Sequence, residues 1–192
     1  MLRNKQANEI EEMQSTQLEK LAEFNQRWDE QITQLKRQGE ELENELNDRH
    51  RGEIEELQQN FTTNQSPPKP NPELLNLIEM RKKMVKTRRY ADADMASQRI
   101  EEIKLRLNEE WKEKEKMKLD SMLVNLEKKQ AMEKQGLKIR VDNGINEKEK
   151  ERAKELDNLL QKYQNFQREL ENKHTFDLQR YKKVLQKRIP SS

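Results

Sequence analysis

Apolar residues recur early in the chain at Ile10, Met13, Leu21, Phe24, Ile32 and Leu35, with Gln17 and Trp28 at the intermediate points. The steps read 3-4-4, 3-4-4 and then 3, so Ile10, Leu21 and Ile32 open successive copies of an eleven-residue repeat. Eleven residues in three helical turns is about 3.67 per turn, which keeps an apolar stripe nearly straight or slightly right-handed. Leu35, Gly39, Leu42 and Leu46 continue at heptad spacing, His50 and Ile54 follow at steps of four, and Leu57 and Phe61 close the segment. The stripe is narrow, so the expected partner is another helix. Gly39 and Gly52 each cost about 1 kcal/mol relative to Ala inside a helix, and Arg49-His50-Arg51-Gly52 is an expected point of bending.

Four of the five prolines, Pro67, Pro68, Pro70 and Pro72, fall within six residues. Proline lacks the N–H and clashes with the preceding turn, so residues 65–72 form an extended elbow. Pro67-x-x-Pro70 has the form of a ligand for an aromatic groove, and Ser66-Pro67 that of a phosphorylation site, but a helix break accounts for the cluster. Pro72 suits a helix start. Leu74, Leu77, Ile78, Met80, Met84 and Val85 then make an apolar face, and Thr87-Arg88-Arg89 precedes Tyr90-Ala91-Asp92-Ala93-Asp94-Met95-Ala96. We read a short helical hairpin over 73–104, with Tyr90 packed near its turn; an unbroken helix through 87–90 is the rival.

Ala93, Ala96, Ile100, Ile103 and Leu107 step 3-4-3-4, and Trp111 continues the seam. The polar run 112–118 is a solvated helix supported by alternating charges. Leu119, Met122 and Leu126 resume the stripe, and Leu156, Leu160, Tyr163, Leu170, His174 and Tyr181 carry it onward. Val141-Asp142-Asn143-Gly144-Ile145 is the best candidate for a break, because Asn-Gly favours turns. Unbroken, residues 91–189 would extend about 150 Å at about 1.5 Å per residue.

Composition supports the same reading. Apolar residues are 31% and charged residues 40% of the chain, too few of the former for a compact core. The expected fold class is therefore all-α: elongated coiled-coil helices with a proline elbow and a short hairpin, and no compact globular core. The expected segments are an acidic arm 1–64, the elbow 65–72, the hairpin 73–104 and a charged arm 105–189, with 142–145 the candidate break and continuous helix there the alternative. Formal net charge is only +2, but residues 1–64 carry 8 Lys/Arg against 15 Asp/Glu, leaving 31 against 22 for the rest. The arms can attract one another, within or between chains, or the basic arm can lie on an acidic surface.

The sequence carries no legible chemistry. Cysteine is absent and the only histidines are His50 and His174, without clustered partners. No phosphate loop, nucleophile elbow or metal-ligand spacing occurs. We expect no enzyme, catalytic residue, cofactor or metal. No window reaches the roughly 18 apolar residues of a membrane span, and the N-terminus lacks a signal-peptide run, so a cytoplasmic protein is expected. The strongest charge run is Arg81, Lys82, Lys83, Lys86, Arg88 and Arg89; a second gathers Arg180, Lys182, Lys183, Lys187 and Arg188 near the end. Both are expected partner-binding patches, weighed against a solvated helix face and, for the second, against cations suiting a helix C-terminus. Tyr90 alone offers a stacking aromatic nearby, which argues against specific nucleic-acid binding.

Two resemblances follow from these residues. The stretch 73–104, with its aromatic-acidic-Ala turn, loosely resembles UVR-type helical hairpins. More widely, Phe24-x-x-x-Trp28, the His50 segment, Pro72-Glu73-Leu74-Leu75-Asn76-Leu77, Tyr90-Ala91-Asp92-Ala93 and Leu170-Glu171-Asn172-Lys173-His174 resemble a family of coiled-coil cytoskeletal and axonemal proteins of flagellated protists. That resemblance implies a non-enzymatic, filament-like, microtubule-associated role in the flagellum or cilium, with tubulin and neighbouring coiled-coil proteins as partners. The alternatives are a BAR-like membrane-binding dimer, disfavoured by acidic residues interspersed along the basic arm, and a self-associating coiled-coil adaptor.

Overall fold

A computed structural model describes residues 2–188. The protein is all-α. It has three helices, α1 (Leu2–Thr63), α2 (Pro72–Lys86) and α3 (Tyr90–Arg188), and no strand among the described residues. Contacts divide the chain into two units that cut across both long helices. One joins residues up to Glu43 with those from Leu137 onward; the other is Asn44–Gly136. Each unit therefore joins stretches far apart in sequence.

In the first unit α1 and α3 run antiparallel. Gln6 meets His174 and Gly39 meets Val141, two pairs whose numbers each add to 180. Met13, Phe24, Trp28 and Ile32 are the buried apolar residues on α1. Phe24 and Trp28 lie with ring centroids 6.4 Å apart, and the Arg27 guanidinium sits 5.8 Å from the Phe24 centroid. A methyl group on Gly39 would come within 2.7 Å of Val141 Cγ1. The glycine is thus required by close approach, which explains its presence despite its poor helix propensity.

In the second unit the end of α1 and then α2 both lie antiparallel along α3. His50 pairs with Gln130, and Leu74 packs with Ile100 and Ile103, flanked by Leu77, Ile78 and Leu107. Pro68, Lys69 and Pro70 line a shallow groove with Leu105, Leu107 and Asn108, so the elbow lies against α3. The polar run Lys112–Lys118 is mostly exposed, with Glu115 its one sheltered position between half-buried Trp111 and Leu119.

The hairpin turn is real. Asn71 caps α2 by accepting the Leu74 N–H at 2.8 Å, and Pro72 occupies its first turn. At the other end the Arg89 N–H donates to Met84 O and the Arg88 N–H to Val85 O, closing a Schellman motif. Arg88 carries the left-handed backbone at φ 62°, a position usually given to glycine. Tyr90, expected to pack at the turn, is 64% exposed.

The eleven-residue repeat persists far beyond Leu35. On α1 the sheltered positions include 6, 10, 13, 17, 21, 24, 28, 32, 35 and 39 and, past the exposed Glu43, also 46, 50, 54, 57 and 61. The heptad reading placed Leu42 in the stripe, but Leu42 is exposed. Likewise Met122 and Leu160 point outward while their neighbours Leu123 and Leu159 are half-buried. Tyr181 is exposed as well. α3 continues as helix through Val141–Ile145, and α1 through Gly52. The turn tendency of Asn143-Gly144 is overridden because strong helix formers flank it and Val141 is held against Gly39.

Candidate functional site

The basic surface expected from sequence lies on α2 and its turn. Lys82, Lys83, Lys86, Arg88 and Arg89 are exposed and Arg81 is half-buried. Lys82 pairs with Glu79 at 3.3 Å and Arg89 with Asp92 at 2.8 Å. Among the described residues, Arg81, Lys83, Lys86 and Arg88 have no carboxylate within ion-pair distance. The helix carrying them is pinned by its two caps, by the Leu74–Ile100–Ile103 core, and by Arg99 and Arg106 reaching Glu73. Such an arrangement offers a fixed array of cations to an anionic surface.

The second patch belongs to the other unit. Arg180, Lys182, Lys183 and Lys187 are exposed on the last turns of α3; the side chain of Arg188 lies outside the described residues.

Sequence reading missed two interhelical clasps, one in each unit. In the first unit Gln6 Nε2 donates to the His174 carbonyl at 3.1 Å. His174 Nε2 lies 2.9 Å from a Glu9 carboxylate oxygen that also meets Lys173 Nζ at 3.3 Å. In the second unit Gln130 Nε2 donates to the His50 carbonyl at 3.0 Å. His50 Nε2 lies 3.0 Å from a Glu133 oxygen that also meets Arg49 at 2.6 Å. The two clasps share chemistry but exchange helices: the Gln and Glu sit on α1 in one and on α3 in the other. Both histidines are buried, at 3% and 8% exposure. An ionised carboxylate only accepts, so each Nε2 carries the proton that points at it. Hydrogen bonds from His174 and from Lys173 hold the Glu9 carboxyl below its usual range, against opposing desolvation. The hydrogen bond from His50, aided by Arg49, does the same for Glu133.

The signal for these clasps is an internal repeat. Gln6-Ala7-x-Glu9 is followed by Glu45-Leu46-x-x-Arg49-His50, and Gln130-Ala131-x-Glu133 by Glu169-Leu170-x-x-Lys173-His174. Gln and His stand 44 residues apart in both copies, four eleven-residue repeats.

Between these positions the first unit holds further polar contacts. Trp28 Nε1 donates to Glu155 at 3.0 Å, and Arg27 joins the same carboxylate at 2.8 Å. Arg152 reaches Asp29 at 2.7 Å and Asn25 at 3.0 Å. Burial raises the Tyr163 hydroxyl above its ordinary pKa, and nearby Glu23 adds to the effect.

Among the described residues no group of three His, Cys, Asp or Glu side chains could hold a metal, and no helix is long and apolar enough to cross a membrane. The fold defines an all-α protein of antiparallel helix pairs with a capped basic hairpin. No protein-family model matches the chain, and comparison with curated proteins and with solved structures finds no match either.

Proposed function

We propose that this chain is a non-enzymatic structural protein that docks on an acidic cytoskeletal polymer, foremost the microtubules of a flagellar axoneme. The observation that carries the reading is the unneutralised cation array of Arg81, Lys83, Lys86 and Arg88 on a pinned hairpin. Acidic polymer surfaces attract such an array at long range, and salt screens it. Both histidines are engaged in helix pairing, which supports a structural over a catalytic role. The axonemal assignment, with its cytoskeletal location and its tubulin and coiled-coil partners, draws on the sequence resemblance.

Co-pelleting with microtubules tests the proposal. Binding should be strong at low salt, fall steeply by physiological ionic strength and above, and drop at least about tenfold in Lys83→Glu/Lys86→Glu/Arg88→Glu, a loss of about 1.4 kcal/mol or more. Absence of binding at low salt sinks the reading. Flotation with anionic vesicles is the companion measurement: capture there, with none on microtubules, replaces the polymer with a membrane surface.

A further inference from the structure

The apolar stripe alone does not select the register of α1 on α3 in the first unit. Because the pattern repeats every eleven residues, sliding α3 by one repeat brings an equally apolar set into line. Leu21 would leave the position facing Leu159 for one facing Leu170. Ile32 would exchange Lys148 for Leu159, and Leu35 would exchange Ile145 for Leu156. By area alone the slipped pairing is at least as favourable, since burial is roughly proportional to apolar surface and indifferent to which residues supply it.

The clasp is not indifferent. After the slip Gln17 would stand opposite His174, where Gln6 stands now. Three residues further along, Lys20 would replace Glu9, facing His174 and Lys173 with no carboxylate. The recess above Gly39 that receives Val141 would instead lie opposite Arg152, and Arg152 would lose Asp29 and Asn25. A buried polar group that loses its partner costs far more than a displaced apolar contact.

We infer that the Gln–His–Glu clasp is a register key: it singles out one alignment among the several that the eleven-residue stripe permits, and each unit carries one. A lone buried polar residue fixes alignment in helical assemblies by the same physics. Here the key spans both helices, and its twofold occurrence with the helices exchanged fits one key per unit.

The chain has no cysteine, which makes a direct test simple. Leu21→Cys, Leu159→Cys and Leu170→Cys are placed together in the full chain and equilibrated in glutathione buffer. The 21–159 disulfide reports the observed register and the 21–170 disulfide the slipped one, read by peptide mass spectrometry. With the key intact, 21–159 should dominate. Because α1 and α3 each run unbroken through both units, the two keys are removed together. Gln6→Leu/His174→Leu combined with His50→Leu/Gln130→Leu keeps helices paired, so helicity should persist while the 21–170 share rises at least about tenfold, equivalent to about 1.4 kcal/mol. If that variant loses helicity, Glu9→Gln/Glu133→Gln, which preserves shape in both keys, decides by the same ratio. An unchanged disulfide ratio in a variant that stays helical overturns the inference.

Discussion

The α2–α3 hairpin and the α1–α3 pairing of the first unit solve the same problem differently. The hairpin is short, and it packs Leu74 against fully buried Ile100 and Ile103, with Ala93 and Ala96 also buried. Its ends are set by local devices, the Asn71 cap and the Arg88 Schellman turn. The α1–α3 pairing is long, its stripe is broken by Gln17, Gly39 and Arg152, and polar contacts recur along it. A short pair joined by a tight turn has its register imposed by the connection, so its contact can be dry. A long pair with a repeating stripe needs side chains that distinguish one repeat from the next.

The largest effect should come from the dry core. Ile103→Ala removes packing that cannot relax easily and should cost about 2–5 kcal/mol. Hydrogen exchange should show faster opening of α2 with little change at Met13–Ile32; equal loosening of both would dissolve the distinction.

Next come the glycines. Gly39→Ala forces a methyl into Val141, an overpacking cost of about 1–3 kcal/mol against about 1 kcal/mol of helix propensity. Gly52→Ala meets open space and should gain about 1 kcal/mol. Denaturant midpoints of opposite sign sharpen the contrast, and matching gains would refute the close approach at Gly39.

Arg88→Gly should stabilise the hairpin by roughly 1 kcal/mol, because a left-handed backbone burdens any residue with a Cβ. A lower melting temperature would speak against that turn.

The smallest effect is the pH dependence of the clasps. Glu9 and Glu133 titrate below the ordinary 4.5 when folded. Their contribution is therefore present above pH 4.5 and fades as pH falls through the lower folded values. Thermal melts between pH 6 and 3 should show the decline, and Glu9→Gln should flatten part of it.

Much of this was open to sequence reasoning. Helix type, the elbow and the hairpin followed from proline position and apolar spacing, because those act locally. The eleven-residue repeat was visible at Ile10, Leu21 and Ile32, but Met122 and Leu160 drew the stripe one position aside from Leu123 and Leu159. Only a partner helix decides which of two adjacent apolar residues is sheltered. The basic cluster was equally plain, whereas coordinates were needed to show that Lys82 and Arg89 are paired while, among the described residues, Arg81, Lys83, Lys86 and Arg88 have no carboxylate within ion-pair distance.

Helical character, the proline interruption at 67–72 and the basic stretches are legible in the chain alone, whereas the candidate break at 142–145 is absent from the fold. The antiparallel placement of α1 on α3 within each unit, and its register, emerge only from contacts between the helices. The reason is physical: propensity and periodicity are properties of one helix, while register is a difference in energy between alignments. That difference rests on pairs such as Gln6–His174 and Gly39–Val141, whose members stand more than a hundred residues apart.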